Sequence, residues 1–156
     1  MTTQSVEVAK RKLWLAALKP PMYSVAVMPI LLGSAIAFAE TGTFDLSIFL
    51  TFMMAAVLIL VWENLSNDVF DSETGIDVNK AHSLVNLTRN KWLVFTIGNL
   101  CLGLGIAGMI AIALWQNDFT VLWLILLCCL LGYAYQGPPF RLGYQGLGEI
   151  LCFFSF

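Results

Sequence analysis

The chain of 156 residues is 59% hydrophobic and only 12% charged, with a net charge of −2 and a mean hydropathy of +0.81. A water-soluble domain of this size carries about 25% charged residues, so the composition excludes one and indicates an all-α, polytopic membrane protein. No basic patch with interleaved aromatics is present, which excludes nucleic acid as a partner.

In chain order, residues 1–12 form a polar N-terminal tail with Lys10, Arg11 and Lys12, and Leu13 to Leu18 suit a short interfacial helix with Trp14 at headgroup level. The first apolar stretch is too long for a cleavable signal. Pro20 and Pro21 open a first spanning helix, about Met22 to Ala39, in which Pro29 either kinks the helix or is a packing irregularity. A short loop around Gly42 leads to a second apolar run, Leu46 to Trp62. A polar stretch, 63–91, follows, expected as a loop on the active side. The third run, Trp92 to Trp115, carries Gly98, Gly103, Gly105 and Gly108, small residues that allow close helix contact. Gln116, Asn117 and Asp118 predict a tight turn before a fourth run, Phe119 to Tyr135. A Gly/Pro-rich loop, 135–149, precedes a last apolar run, Leu147 to Phe156. Ten residues cover about 15 Å as a helix, against a hydrocarbon core of roughly 30 Å. The expectation is therefore a single integral membrane domain over 1–156 with four complete spans and the start of a fifth, truncated at its C-terminus. The four cysteines lie in apolar runs without metal-type spacing and suit small buried hydrophobes.

All eight Lys and Arg residues fall in the N-terminal segment, the 63–91 stretch or the 135–149 loop. The positive-inside rule puts these three segments together on the cytoplasmic or stromal side, where they can form one site.

The polar stretch gathers half of the chain's ten acidic residues. Asn64, Asn67, Asp68 and Asp71 fall at 0, +3, +4 and +7, so on a helix they share an arc of roughly 100°. Two carboxylates with amide oxygens beside them suit a hard cation such as Mg²⁺, which is commonly held by one or two carboxylates together with substrate phosphates. A solvated loop capped by Asn and Asp is the plain alternative. Acids bordering a spanning helix are costly, which favours function. Lys80, Arg89, Lys91 and Arg141 are candidates for gripping phosphate oxygens, or for setting topology alone. Tyr23, Trp62, Phe70, Tyr133, Tyr135 and Tyr144 are candidates for lining a cavity in which positive charge develops. His82 has no partner at metal-ligand spacing and reads as a loop residue.

Three stretches together carry a family resemblance. Asn64-Leu65-Ser66-Asn67-Asp68-Val69-Phe70-Asp71 with Gly75-Ile76-Asp77 resembles the first aspartate-rich motif of the UbiA superfamily of membrane prenyltransferases. Lys19-Pro20-Pro21 with Met28-Pro29-Ile30-Leu31-Leu32-Gly33 is similar to the opening of its naphthoate branch. Tyr135-Gln136-Gly137-Pro138-Pro139-Phe140-Arg141-Leu142-Gly143-Tyr144 with Gly146-Leu147-Gly148-Glu149 resembles that branch's second cytoplasmic loop. The wording of residues 77–88 is similar to cyanobacterial and plastid versions that use phytyl diphosphate.

The resemblance implies nine spanning helices around a cavity, and Mg²⁺-dependent ionisation of a prenyl diphosphate. An aromatic acceptor, 1,4-dihydroxy-2-naphthoate or 2-carboxy-1,4-naphthoquinone, would then attack the allylic cation in phylloquinone or menaquinone synthesis. It implies catalytic Asp68 and Asp71; metal binding by Asn64, Asp68, Asp71 and Asp77; diphosphate binding by Lys80, Arg89 and Arg141; and a cavity lined by Asn67, Tyr135 and Tyr144. It places the protein in a plasma, thylakoid or plastid membrane. Position 72, an acid in much of the superfamily, is Ser72, and the naphthoate branch uses the acid at Asp71 instead. The second aspartate-rich motif lies beyond residue 156, so this stretch alone is expected to be inactive. Other UbiA-type acceptors (homogentisate, 4-hydroxybenzoate, chlorophyllide) and a non-catalytic membrane fragment are the competing readings. A cation transporter ranks lowest, because the interiors of the four runs lack acids.

Overall fold

A computed structural model describes residues 3–75 and 80–155. Seven α-helices follow in order: α1 (Thr3–Leu18), α2 (Ser24–Thr41), α3 (Leu46–Thr74), α4 (Leu84–Thr88), α5 (Lys91–Gln116), α6 (Thr120–Gln136) and α7 (Gly148–Ser155). Short 3₁₀ turns at Pro20–Tyr23 and Leu142–Gln145 join α1 to α2 and precede α7. No strand occurs among the described residues.

The helix ends follow from local chemistry. Asp45 accepts from the Ser47 and Ile48 amides at 2.9 and 3.0 Å and caps α3, satisfying two of the donors every helix start leaves bare. Gly42 and Gly75 close α2 and α3 at positive φ, and Asn117 does the same for α5. Asp118 accepts from the Thr120 amide, which holds its carboxyl below the usual carboxylate range.

Three of the four expected spans are met in full. The segment Glu7–Thr41 and helices α3 and α5 are long and apolar enough to cross a bilayer, while α6 has 17 residues, about 25 Å at helical rise. Leu31, Leu32, Leu100, Leu104, Leu114 and Leu130 are exposed, as a lipid-facing surface requires. Two sequence expectations are corrected. Much of the polar tail is helical, because α1 runs unbroken from Thr3 to Leu18. The 63–91 stretch is largely not a loop: α3 continues to Thr74 and carries the acidic motif on its last three turns. At 29 residues α3 is roughly 43 Å long, so it outruns a hydrocarbon core of about 30 Å. Its polar end therefore stands at the headgroup level while its backbone remains hydrogen-bonded to itself.

The central pairing is α3 against α5, antiparallel. A Cβ on Gly105 would sit 2.7 Å from Ile59 Cγ1 and 3.0 Å from the Ala55 carbonyl oxygen. One on Gly98 would meet Leu65 at 3.2 Å, and one on Gly108 would meet Ala55 at 3.1 Å. Three of the four expected glycines thus set the approach of the two backbones. Gly103 faces open space and does not. At the polar end, Ala17, Leu65, Val69, Phe70, Leu84 and Val94 form a buried cluster that ties α1 and α4 onto the α3–α5 pair.

Candidate active site

The end of α3 that leaves the apolar layer is covered by α1, α4 and the turn before α7, and beneath that cover its polar residues are buried. Asn64, Asp68 and Asp71 are 2%, 1% and 7% exposed. A buried carboxylate needs partners to remain charged, and each acid has them. Asp68 Oδ2 accepts from the Leu84 amide at 2.7 Å, at the start of α4. Its other oxygen lies 3.5 Å from Lys80 Nζ. Asp71 Oδ2 lies 3.9 Å from the same ammonium, and Asp71 Oδ1 accepts from the Tyr144 hydroxyl. One lysine therefore faces both acids.

The predicted arc is brought together and divided between two surfaces. Asp68 and Asp71 face Lys80, α4 and Tyr144. Asn64 and Asn67 line a cavity of about 280 Å³ bounded also by Tyr135, Gln136 and residues of α7. Asn64 Nδ2 donates to the Ala17 carbonyl at 3.1 Å, which fixes the orientation of its amide. The Asn64 and Asp68 Oδ1 atoms are both buried without a hydrogen-bond partner. Buried acceptors left without donors are costly, and oxygens of this type are ligands for a hard cation. Among the described residues no three His, Cys, Asp or Glu side chains converge on one point; the two carboxylates face Lys80, and the Asn64 amide lies at the cavity.

The predicted phosphate-binding cations are placed differently from one another. Lys80 sits between the acids. Arg141 pairs with Glu73 at 3.0 Å, and its Nε is buried without a partner. Lys91 also pairs with Glu73, so a single carboxylate at the tip of α3 links the start of α5 to the 137–147 segment. Arg89 forms the left-handed C-cap of α4, is exposed, and makes no ion pair among the described residues. Asp77 lies outside the described residues. His82 is exposed, as a loop residue should be.

Of the cavity candidates, Tyr135 does line the 280 Å³ space. Its ring occupies room left by Gly143 and Gly148, where a Cβ would lie 2.9 and 3.1 Å from it. Gly143 and Gly148, two of the four glycines of the 135–149 segment, are therefore a seat for this tyrosine. Tyr144 reaches Asp71 instead. Phe70 and Tyr133 stack edge to face at 5.9 Å, and Trp62 is buried beside Tyr133 along an apolar groove between α3, α5 and α6.

Glu63, Glu73 and Gln136 are site residues that spacing arguments passed over. Gln136 Nε2 donates to the Glu63 carbonyl at 3.3 Å, and Glu63 lines the same cavity as Asn67. A signal was available for Glu63. On a helix that continues beyond Trp62, an acid at 63 adjoins the Asn64–Asn67 face one turn nearer the apolar layer.

Comparison with known proteins identifies the family. Residues 26–156 match the UbiA prenyltransferase family. The chain is 57% identical over 148 residues to the 2-carboxy-1,4-naphthoquinone phytyltransferase of Synechocystis sp., covering 95% of this chain and 48% of that protein. It is 42% identical to the chloroplastic 2-carboxy-1,4-naphthoquinone phytyltransferase of Arabidopsis thaliana, covering 98% of this chain and 40% of that one. It is 29% identical to the 1,4-dihydroxy-2-naphthoate octaprenyltransferase of Escherichia coli, over 99% and 53%. No solved structure matches. The chain spans about half the length of the curated relatives it matches. An all-helical bundle with membrane-spanning helices, a buried acid pair at the end of α3 and a family match from residue 26 to residue 156 lead to one conclusion: this chain is an integral membrane protein that belongs to the UbiA prenyltransferase family.

Proposed function

We propose that the protein transfers a prenyl group, phytyl in the first instance, from its diphosphate to a naphthalene acceptor of the 2-carboxy-1,4-naphthoquinone or 1,4-dihydroxy-2-naphthoate type. The observation that carries the reading is the pair Asp68 and Asp71, buried one turn apart on α3, with Lys80 between them and the Asn64 Oδ1 atom nearby on the same helix buried without a hydrogen-bond partner. The names of the Synechocystis and Arabidopsis relatives supply the substrate class.

In this reading Asn64, Asp68 and Asp71, assisted by Asp77, hold Mg²⁺, which when bound neutralises the diphosphate as a leaving group. Lys80 and Arg141 contribute positive charge toward the phosphate oxygens, and Arg89 adds to it from the rim. Tyr135 and Asn67 line the cavity beside the acids. Its apolar walls keep water from the electrophile, and the face of a tyrosine ring stabilises positive charge. The protein is a single integral membrane domain, and its basic segments lie on the cytoplasmic or stromal side, so that both substrates meet at that headgroup level.

The test is an assay of membranes carrying the protein at its full encoded length, with Mg²⁺ and a panel of prenyl diphosphates and aromatic acceptors. Turnover with phytyl diphosphate and a carboxynaphthoquinone or dihydroxynaphthoate is expected, abolished by chelation of the metal. Asp68→Ala and Asp71→Ala should each lower it by at least about 100-fold while membrane insertion is retained. Unchanged activity in both variants would sink the metal assignment.

A further inference from the structure

We propose that Glu63 seats the polar edge of the acceptor ring, in the 280 Å³ cavity between the polar end of α3, the end of α6 and α7. The assignment rests on the reading above that the protein prenylates an aromatic ring.

An acid inside a spanning helix is costly unless it is used. No hydrogen bond or ion pair engages the Glu63 side chain among the described residues; beyond the helix's own bonds, its backbone oxygen accepts from Gln136. Space has nevertheless been made for it. A Cβ on Gly132 would lie 2.7 Å from Glu63 Oε1 and 3.6 Å from its Cδ. Glycine in the interior of a helix weakens that helix, and here its missing side chain is what admits the carboxyl between α3 and α6. The carboxyl therefore stands at the wall of the cavity with hydrogen-bonding capacity unspent.

The remaining lining discriminates between possible occupants. Met22, Leu131 and Leu151 supply apolar walls, Tyr135 a ring, and Lys19 and Asn67 polar atoms at the margin. Mostly apolar walls with a few convergent polar groups suit a small flat ligand. A prenyl chain has no hydrogen bond to offer a carboxyl, and a diphosphate offers it acceptor oxygens only. The ring hydroxyl of a dihydroxynaphthoate, which the quinone form lacks, satisfies it, because a carboxyl oxygen accepts a hydrogen bond whether or not the group is ionised. Glu63 and Asp68 are five residues apart on α3, an axial separation of about 7.5 Å. A ring held at Glu63 lies beside the acid pair where the diphosphate is expected to leave.

The test is steady-state kinetics in membranes, with the prenyl diphosphate saturating and two acceptors compared: a hydroxylated naphthalene carboxylate and its O-methyl ether. The wild type is expected to favour the hydroxylated ring by about tenfold or more. Glu63→Ala should erase that preference by raising the KM for the hydroxylated acceptor about tenfold, with the KM for the prenyl diphosphate unchanged within about twofold. Gly132→Ala, which displaces the carboxyl without removing it, should reproduce the effect. If Glu63→Ala does not insert, Glu63→Met, which keeps the length of the side chain and removes its acceptor oxygens, decides. A rise of about threefold or more in the acceptor KM supports the assignment, and no change overturns it. A shift confined to the prenyl diphosphate KM also overturns it. A wild type inactive on every aromatic acceptor overturns the functional reading itself. An active wild type whose Glu63 variants behave normally overturns the assignment of Glu63 alone.

Discussion

Asp68 divides two tasks between its two oxygens. One binds the amide that starts α4 at 2.7 Å, and the other faces Lys80. The first task is structural: it fastens the 80–90 segment over the end of α3. The second requires charge. Asn retains an acceptor for the Leu84 amide but removes the charge, whereas Ala removes both. Asp68→Asn is therefore expected to unfold within about 0.5 kcal/mol of wild type, and Asp68→Ala to be less stable by about 1–3 kcal/mol. Both should lose turnover to the same extent. Thermal unfolding in detergent alongside the prenyl-transfer assay separates these effects. Equal destabilisation by the two substitutions would show that the Leu84 contact depends on charge and not on an acceptor oxygen. Tyr144 stands in a similar relation to Asp71, which makes a residue nominated for the cavity into one that orients an acid.

Among the elements, α3 organises the rest, because one helix supplies both the membrane span and the acid pair. That dual use depends on how closely α5 packs against it. Gly105 leaves no room for a side chain between Ile59 and the Ala55 carbonyl, whereas Gly103 faces outward. Gly105→Leu forces the helices apart and is expected to cost about 1–3 kcal/mol, as overpacking does. Gly103→Leu should be tolerated within about 0.5 kcal/mol. Thermal unfolding of the two variants in the same detergent checks the contrast. Equal tolerance would mean that α3 and α5 do not meet through this face. The 137–147 segment is held to α3 by two side chains, Arg141 on Glu73 and Tyr144 on Asp71. Both anchors reach the last two turns of α3, and neither reaches the apolar part.

For the whole molecule, the side-chain links define one polar end. Ala17 is bonded by Asn64, Leu84 by Asp68, and Arg141 and Tyr144 reach Glu73 and Asp71. The α2–α3 and α5–α6 turns lie at the opposite ends of the spans. On a background with Cys101, Cys128, Cys129 and Cys152 replaced, a cysteine at His82 is expected to react with a membrane-impermeant maleimide only from the cytoplasmic or stromal side. One at Asn117 should react only from the other side. Reaction of both from one side would contradict the topology proposed for the chain.

Class, three of the four spans and the shared helical arc of Asn64, Asn67, Asp68 and Asp71 were legible in the amino-acid order, because hydropathy and residue spacing are local properties of a helix. Where the membrane helix ends was not legible. Hydropathy falls at Glu63, but the backbone stays helical to Gly75, since burial under α1 and α4 and not apolarity sustains those last turns. The partners of the acids were likewise decided only in three dimensions. Lys80, Arg89 and Arg141 look equivalent as cations in the sequence, yet Lys80 faces the acid pair, Arg141 turns to Glu73, and Arg89 remains at the surface. Gly132 and Glu63 are 69 residues apart in sequence, and no periodicity joins them. Only the packing of α6 on α3 brings an absent side chain opposite a carboxyl, because the shape of a cavity is set by what two helices leave unfilled between them.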